Sequence, residues 1–308
     1  MRKRSAIVYA HGLKSSATAT DGFFCDKSSL LNCGNREKLM LKKSDITTAR
    51  FAHEEERYVH LEIETRANIG FIRLREGSGW TIDEQLLTEI ALVHERFEYD
   101  ENIHGVIWST HPSGGALGAL DKTKLSVMDT EVRLRLYRYF ASVTRAIYAF
   151  SKPELFLGYG PVSGAGAVLM MACDWRFLSS EVRGVSFVDV MPGLQLTNAM
   201  AQTIASGIGL ENFKSLIRSG WAPPHDSLKR LGLANDIFQT DVLAEKGEIF
   251  MRRLIQNPLD LMRSRKLSLR RVGLNFFDKD RSLSDAALRK LHAESRRLSN
   301  SEKKFFAA

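Results

Sequence analysis

Apolar residues along the chain change their spacing from one segment to the next, and each spacing predicts a different element. Residues 59–63 and 69–74 alternate between apolar and polar side chains, with the polar stretch "RAN" between the two runs. This pattern is typical of two strands joined by a turn. Residues 82–93 instead carry apolar side chains at helical spacing, and Thr81 or Asp83 can cap the start of that helix.

Short, mainly apolar runs follow and predict buried strands. They are "IHGVIWST" at residues 103–110 and "ELFLGYG" at residues 154–160, with a long helix expected between them at residues 130–150 and a further strand in "RGVSFVDV" at residues 183–190. Most of the chain beyond these runs has helical spacing. This order predicts an α/β fold with helices packed on a largely parallel sheet, in which ligands lie at the carboxyl ends of the strands.

Composition narrows the class of protein. The chain has 308 residues, 44% of them hydrophobic, which is enough for one large domain or two modest ones. It contains no run of about 18 apolar residues, so we expect no membrane span. The three cysteines are Cys25, Cys33 and Cys173, and they lack metal-ligand spacing, so we expect free thiols and no metal site.

The positive charge, a formal +8, is concentrated in two places. The first twenty residues contain four basic and no acidic side chains, a composition similar to that of a mitochondrial transit peptide; a disordered basic tail is the alternative for residues 1–50. Residues 251–271 carry seven Arg or Lys against the single acid Asp260. Such a run is usually a solvated helix face, but it also suits an anionic partner such as a nucleotide phosphate or RNA.

Two turns rich in glycine and alanine are candidate ligand sites. They are "GGALGALD" at residues 114–121 and "SGAGAVLMMACD" at residues 163–174. Small residues let another group approach the backbone, and the first N–H groups of a helix have no partner within it, so two such turns together can hold an oxyanion. The alternative for each turn is a tight packing site between a helix and a strand.

These turns, in this order, resemble motifs of the crotonase (enoyl-CoA hydratase/isomerase) superfamily. Three further segments fit the family order: "CDWRF" after the second turn, "RGVSFVDVMPGL", and "LIRSGWAPPHDSLKRLGLANDIF". The resemblance covers roughly residues 58–272 and is greatest to the Δ3,Δ2-enoyl-CoA isomerases. It implies a ββα spiral core over residues 51–200 and a C-terminal helical trimerisation region over residues 201–308.

The resemblance also assigns the binding turns residue by residue. It implies that the backbone N–H groups of Leu120 and Ala165 form the oxyanion hole for a thioester carbonyl. The substrate-binding loops around them would contain Gly118, Ala119, Gly164 and Gly166. Ala119 and Ala165 stand where the family motif has glycine, which would be costly if either position needed a positive φ.

The carboxylates implied by the resemblance separate two reactions. Hydratases of the family use two glutamates, and the first of these positions is Val168 here, while the second is Asp189. One carboxylate is sufficient to move a proton from C2 to C4 of a 3-enoyl thioester, whereas adding water in the family's way takes two. The resemblance therefore implies an isomerase with Asp189 as its catalytic base.

Partners and location follow as expectations from the same resemblance. The substrate would be an acyl-CoA, that is a coenzyme A thioester, and the pathway fatty acid β-oxidation in the mitochondrial matrix. The protein would be a homotrimer or hexamer and would use no metal or redox cofactor. Because Val168, Ala119 and Ala165 depart from the motifs, the alternative is a catalytically degenerate crotonase-fold binding or scaffold protein, associated with RNA or a ribonucleoprotein. Nucleic acid is expected only under that alternative.

Overall fold

A computed structural model describes residues 58–188, 190, 196–219 and 223–281 of the chain. All of these residues belong to one compact unit within residues 49–308. The expected leader, residues 1–50, and the proposed base Asp189 lie outside the described residues.

The predicted hairpin opens the described part of the fold. Strand β1 (Leu61–Arg66) pairs antiparallel with β2 (Ile69–Leu74). Ala67 and Asn68 turn the chain between them, both with positive φ, at 50° and 63°. A two-residue turn with two positive φ values matches the right-handed twist of the flanking strands, and asparagine tolerates that conformation well.

The main sheet of the described residues runs in the order β1-β2-β4-β6-β8-β10, and every pair from β2 onward is parallel. Its remaining strands are β4 (Gly105–Ser109), β6 (Glu154–Gly158), β8 (Trp175–Ser179) and β10 (Asp236–Phe238). Two small parallel pairs lie outside it: β3 (Thr81–Ile82) with β5 (Ala119–Leu120), and β7 (Val162–Ser163) with β9 (Val185–Ser186).

Helices cover the sheet and make up most of the C-terminal half of the described chain. They are α1 (Glu84–Tyr99), α2 (Lys122–Val127), α3 (Thr130–Ala149), α4 (Ala165–Ala172), α5 (Asn198–Ile208), α6 (Leu210–Ser219), α7 (His225–Leu228), α8 (Leu243–Leu254) and α9 (Leu259–Arg281). Of the two predicted caps for α1, Asp83 is the one used, because its carboxylate accepts a hydrogen bond from the N–H of Leu86 at 3.0 Å. Among the described residues, no helix is long and apolar enough to cross a membrane.

The central strands β4 and β6 are buried along their whole length, as their apolar runs predict. Trp108 and Phe156 belong to the larger core, under α1, α3 and α4. On the opposite side, Ile107 and Leu155 belong to the smaller core together with Met251 of α8. The sheet is therefore covered on both faces, which confirms the predicted α/β class.

Two strand predictions are corrected. "RGVSFVDV" forms only the two-residue strand β9 within its described part, because it pairs with a strand of the same length, β7. Strand β8, which was not predicted, begins directly after the Asp174 that ends the apolar run of α4. Strand β8 comes directly after a continuous apolar run, and its five residues are too few to show the alternation of apolar and polar residues that predicts a strand.

The last described helix, α9, packs back on the body of the protein. Its Phe277 is buried and its ring lies 5.6 Å from that of Tyr148 on α3. Asp280 accepts a hydrogen bond from the N–H of Ala199 at the start of α5. Lys266 of α9 donates to the carbonyl of Lys152 and to the carboxylate of Asp174, so the helix also lies beside the amino ends of β6 and β8, opposite the edge where the two small-residue turns lie.

Candidate functional site

The first small-residue turn leads from the carboxyl end of β4 into β5. Within it, the N–H of Gly118 donates to the carbonyl of Gly79 at 2.7 Å. A Cβ atom on Gly118 would lie closer than 3.0 Å to the carbonyl oxygen of Trp80, so only glycine fits at this crossing. Ala119 and Leu120 then pair with Thr81 and Ile82 in the short parallel ladder.

The second turn leads from the carboxyl end of β6 into α4. Gly164 precedes the helix with φ at 55° and ψ at −125°, a conformation that side chains oppose. Ala165 is the first residue of α4. Neither Ala119 nor Ala165 has a positive φ, so alanine carries no backbone strain at these two positions.

The two turns contact each other through their backbones. The N–H of Gly166 donates to the carbonyl of Gly118 at 2.8 Å, and the N–H of Ser163 donates to the carbonyl of Leu117 at 2.9 Å. A Cβ atom on Gly166 would lie within 3.0 Å of the Leu117 carbonyl. The small residues are therefore required for close approach of backbone to backbone, and the tight-packing interpretation holds for Gly118 and Gly166.

The proposed oxyanion positions lie beside this contact. Leu120 follows Gly118 by two residues and Ala165 directly precedes Gly166, so the structure brings both sequence-predicted turns to one edge of the sheet. The two residues are deeply buried, with 1% and 0% of their surface exposed. The helix start at Ala165 supplies N–H groups that have no acceptor within the helix.

The segment that leads to Asp189 also passes this edge. Strand β9 pairs with β7, and the carbonyl of Ser186 accepts a hydrogen bond from the N–H of Gly164 at 2.9 Å. Asp189 itself lies outside the described residues.

Val168 lies one helical turn after Ala165 on α4 and has 0% of its surface exposed. The position that carries a glutamate in hydratases is thus apolar and enclosed. Asp121, near the other turn, caps α2 by accepting from the N–H of Lys124 at 3.0 Å, as expected for a helix cap. In the described part of the chain, no cluster of His, Cys, Asp or Glu could hold a metal ion.

The structure also contains a buried contact between a histidine and a glutamate that the sequence did not reveal. His94 of α1 has Nδ1 2.7 Å from the carbonyl oxygen of Ile90 and Nε2 2.7 Å from a carboxylate oxygen of Glu154. Glu154 begins β6, at the edge opposite the turns, so this pair does not belong to the candidate site. The feature of the sequence that could have indicated this pair is His94, a histidine on the apolar face of a predicted helix.

Two small-residue turns that meet at the carboxyl edge of a parallel sheet, with a hairpin before it and helices after it, define the crotonase fold; the resemblance inferred from the motifs is confirmed at this level. The human mitochondrial Δ3-Δ2-enoyl-CoA isomerase is similar with a TM-score of 0.66 and 15% identity, over 79% of this chain and 99% of that one. An enoyl-CoA hydratase from Bacillus halodurans also has a TM-score of 0.66, with 18% identity over 77% of this chain and 95% of that one. At such identities the likeness shows the fold alone.

Comparisons of sequence agree with this class. A probable enoyl-CoA hydratase of Mycobacterium bovis is 23% identical over 172 residues, which are 55% of this chain and 64% of that protein. A relative from Thermus thermophilus is 26% identical over 146 residues, 46% of this chain and 57% of that protein. The chain thus spans less than two thirds of the length of these relatives. No protein-family model matches the chain.

Proposed function

We propose that this protein is an enoyl-CoA isomerase, which converts a 3-enoyl-CoA to the 2-enoyl-CoA. The observation that carries the proposal is the backbone contact between the two small-residue turns, with the Gly166 N–H 2.8 Å from the Gly118 carbonyl oxygen. This contact brings the segments of Leu120 and Ala165 to the carboxyl edge of the sheet, where ligands of α/β proteins bind. The similar proteins named as hydratases and isomerases of enoyl-CoA support the same substrate class.

The chemistry follows from these groups. The N–H groups of Leu120 and Ala165 donate to the thioester oxygen of the substrate and stabilise the negative charge that develops there. The Asp189 carboxylate removes a proton from C2, which gives a dienolate whose charge rests on that oxygen. The same carboxyl group then returns the proton to C4, and the double bond shifts from C3–C4 to C2–C3 with no gain or loss of atoms.

The side chain at Val168 favours isomerisation over hydration. Hydration in this family needs a second carboxylate to handle the attacking water, and Val168 has no proton to give or take.

A second candidate function is binding without catalysis, by a crotonase-fold protein associated with RNA or a ribonucleoprotein. It is favoured by the burial of Leu120 and Ala165, since donors that stay enclosed do not reach a substrate. Measurable turnover of an enoyl-CoA by the purified protein would exclude it.

The deciding experiment compares isomerisation of a 3-enoyl-CoA with hydration of a 2-enoyl-CoA. We expect isomerisation alone, and Asp189→Asn should lower its rate by roughly 10²-fold or more while acyl-CoA affinity stays within a few-fold. Asp241→Asn, at an exposed position before α8, is the matched control and should leave the rate unchanged. Full isomerase activity in Asp189→Asn would refute the mechanism.

Location and assembly are further parts of this proposal. The basic, acid-free first twenty residues support import into the mitochondrial matrix. The exposed apolar side chains of α9, among them Leu267 and Val272, support contacts between copies in a trimer or hexamer. Light scattering at the mass of a single 34.7 kDa chain would contradict the assembly.

A further inference from the structure

A cavity of about 660 Å³ lies at the end of α4 opposite the two turns. It is bounded by the amino ends of β6 and β8 and by α9. Since α4 has eight residues, its two ends are about 12 Å apart, so this cavity is separate from the candidate site at Ala165. Its size is in the range of pockets that hold small molecules, roughly 300–1,000 Å³.

The charged residues that line the cavity are mostly cationic. Arg176, Arg265, Lys266 and Arg270 face a single carboxylate, that of Asp174. Both oxygens of Asp174 are already engaged, one with Arg270 and the other with Lys266, each at 2.7 Å. The other two cations are therefore not neutralised within the lining.

Part of this positive charge has a structural explanation. Arg270 donates to the carbonyl of Ala172 at 2.5 Å, and Lys266 donates to the carbonyl of Lys152 at 2.9 Å. Cations at the end of α4 are stabilised by its unpaired carbonyls and by the helix dipole, and this explains the position of Arg270. Lys266 is held instead by the Lys152 carbonyl and by Asp174. Arg176 donates once to the carbonyl of Cys173 at the end of α4, and none of these contacts accounts for Arg265.

Arg176 is the unusual member of the group. It has 5% of its surface exposed, and its guanidinium makes one hydrogen bond, from Nη1 to the carbonyl of Cys173 at 3.2 Å. Its Nε has no partner among the described residues. Burial is the main cause that lowers the pKa of Arg176 to about 10; the nearby Arg270 lowers it too, whereas the charge of Asp174 raises it. The carboxylate of Asp174 forms its ion pairs with Lys266 and Arg270, and no carboxylate of the described residues forms one with Arg176. A buried, unpaired guanidinium is strongly unfavourable unless an anion joins it.

We propose that this cavity binds an organic phosphate, with the phosphate paired to Arg176 and Arg265 and a flat apolar body packed against the remaining lining. Guanidinium groups match phosphate oxygens in a bidentate geometry, and a phosphate dianion fits an excess of cations better than a single carboxylate does. The apolar side of the lining is formed by Tyr148, Met171 and Trp175. A nucleotide combines both features, and this proposal does not depend on the proposed enzymatic reaction.

The test is calorimetric titration of the full-length protein with ADP, and with inorganic phosphate as a competitor. We expect one ADP per chain, displaced by phosphate. Arg265→Ala, an exposed residue at the cavity rim, should weaken ADP binding roughly tenfold. Arg271→Ala removes an exposed arginine from the same helix outside the cavity lining and should change affinity less than twofold.

Several outcomes would overturn the proposal. Absence of ADP binding at millimolar concentration is one, and binding of dodecanoate in place of ADP is another. Equal weakening by Arg265→Ala and Arg271→Ala would indicate a non-specific basic surface, as would tight binding of an RNA oligonucleotide alone. Arg176→Met tests the buried partner: we expect ADP binding to be lost while the urea midpoint is unchanged or higher, because an unpaired buried charge is removed. Retained ADP binding in a folded Arg176→Met protein would refute the pairing with Arg176.

Discussion

The contact between the two small-residue turns makes Gly166 the most informative position for a test of stability. In Gly166→Ala, the new methyl group would meet the carbonyl of Leu117, which belongs to the backbone of the other turn. Neither partner can rotate away, because Leu117 is held by the hydrogen bond its carbonyl accepts from Ser163. The turns must separate, and the hydrogen bond from Gly166 to Gly118 lengthens or breaks.

The expected loss follows from two contributions. Overpacking a tightly packed interior costs about 1–3 kcal/mol, and a buried backbone hydrogen bond that is lost costs about 1 kcal/mol more. Alanine gains up to about 1 kcal/mol over glycine within a helix. The net expectation for Gly166→Ala is a decrease of about 1–3 kcal/mol in the free energy of unfolding.

Gly207 of α5 offers a matched control. It too is a helical glycine whose added Cβ atom would meet another atom closer than 3.0 Å, but that atom is the terminal methyl of Met171. A methionine side chain moves to another rotamer at little cost, so Gly207→Ala should be neutral or slightly stabilising. Urea unfolding of both variants measures the difference, and equal midpoints would refute the claim that backbone contact requires glycine at Gly166.

Two further predictions concern buried groups. Lys152 is fully buried and donates from Nζ to the carbonyls of Phe97 and Asp100 at the end of α1. Lys152→Ala should therefore lower the free energy of unfolding by about 2–4 kcal/mol in urea unfolding. Lys246→Ala removes an exposed lysine and should leave that free energy unchanged. Burial raises the pKa of Tyr137 from 10.0 to about 12. The unfolded state therefore releases the phenol proton first, between pH 10 and 12. The contribution of neutral Tyr137 to the free energy of unfolding is complete below pH 10 and is lost over that range. Unfolding followed over this range should show a smaller decline in Tyr137→Phe than in the unsubstituted protein; an identical decline would contradict this assignment.

Local patterns in the sequence were sufficient for much of the fold. The alternation on either side of Ala67 and Asn68 predicts the hairpin, because a strand with one face on the core has an apolar residue at every second position. The spacing of apolar residues predicts α1, and the continuous apolar runs predict β4 and β6, which are buried on both faces. The order of the two small-residue turns was enough to suggest the fold family.

Contacts between distant residues were decided only by the tertiary structure. The hydrogen bond from Gly166 to Gly118 joins residues 48 apart in the chain. The spacing of residues within one segment does not predict which distant turn its glycine will contact. The sequence likewise shows a basic run at residues 251–271, but not that Arg265 shares a cavity with Arg176 from a different part of the chain. Helical and strand periods are set by each segment's own backbone geometry, whereas a site is formed by segments whose mutual approach depends on how the whole core packs.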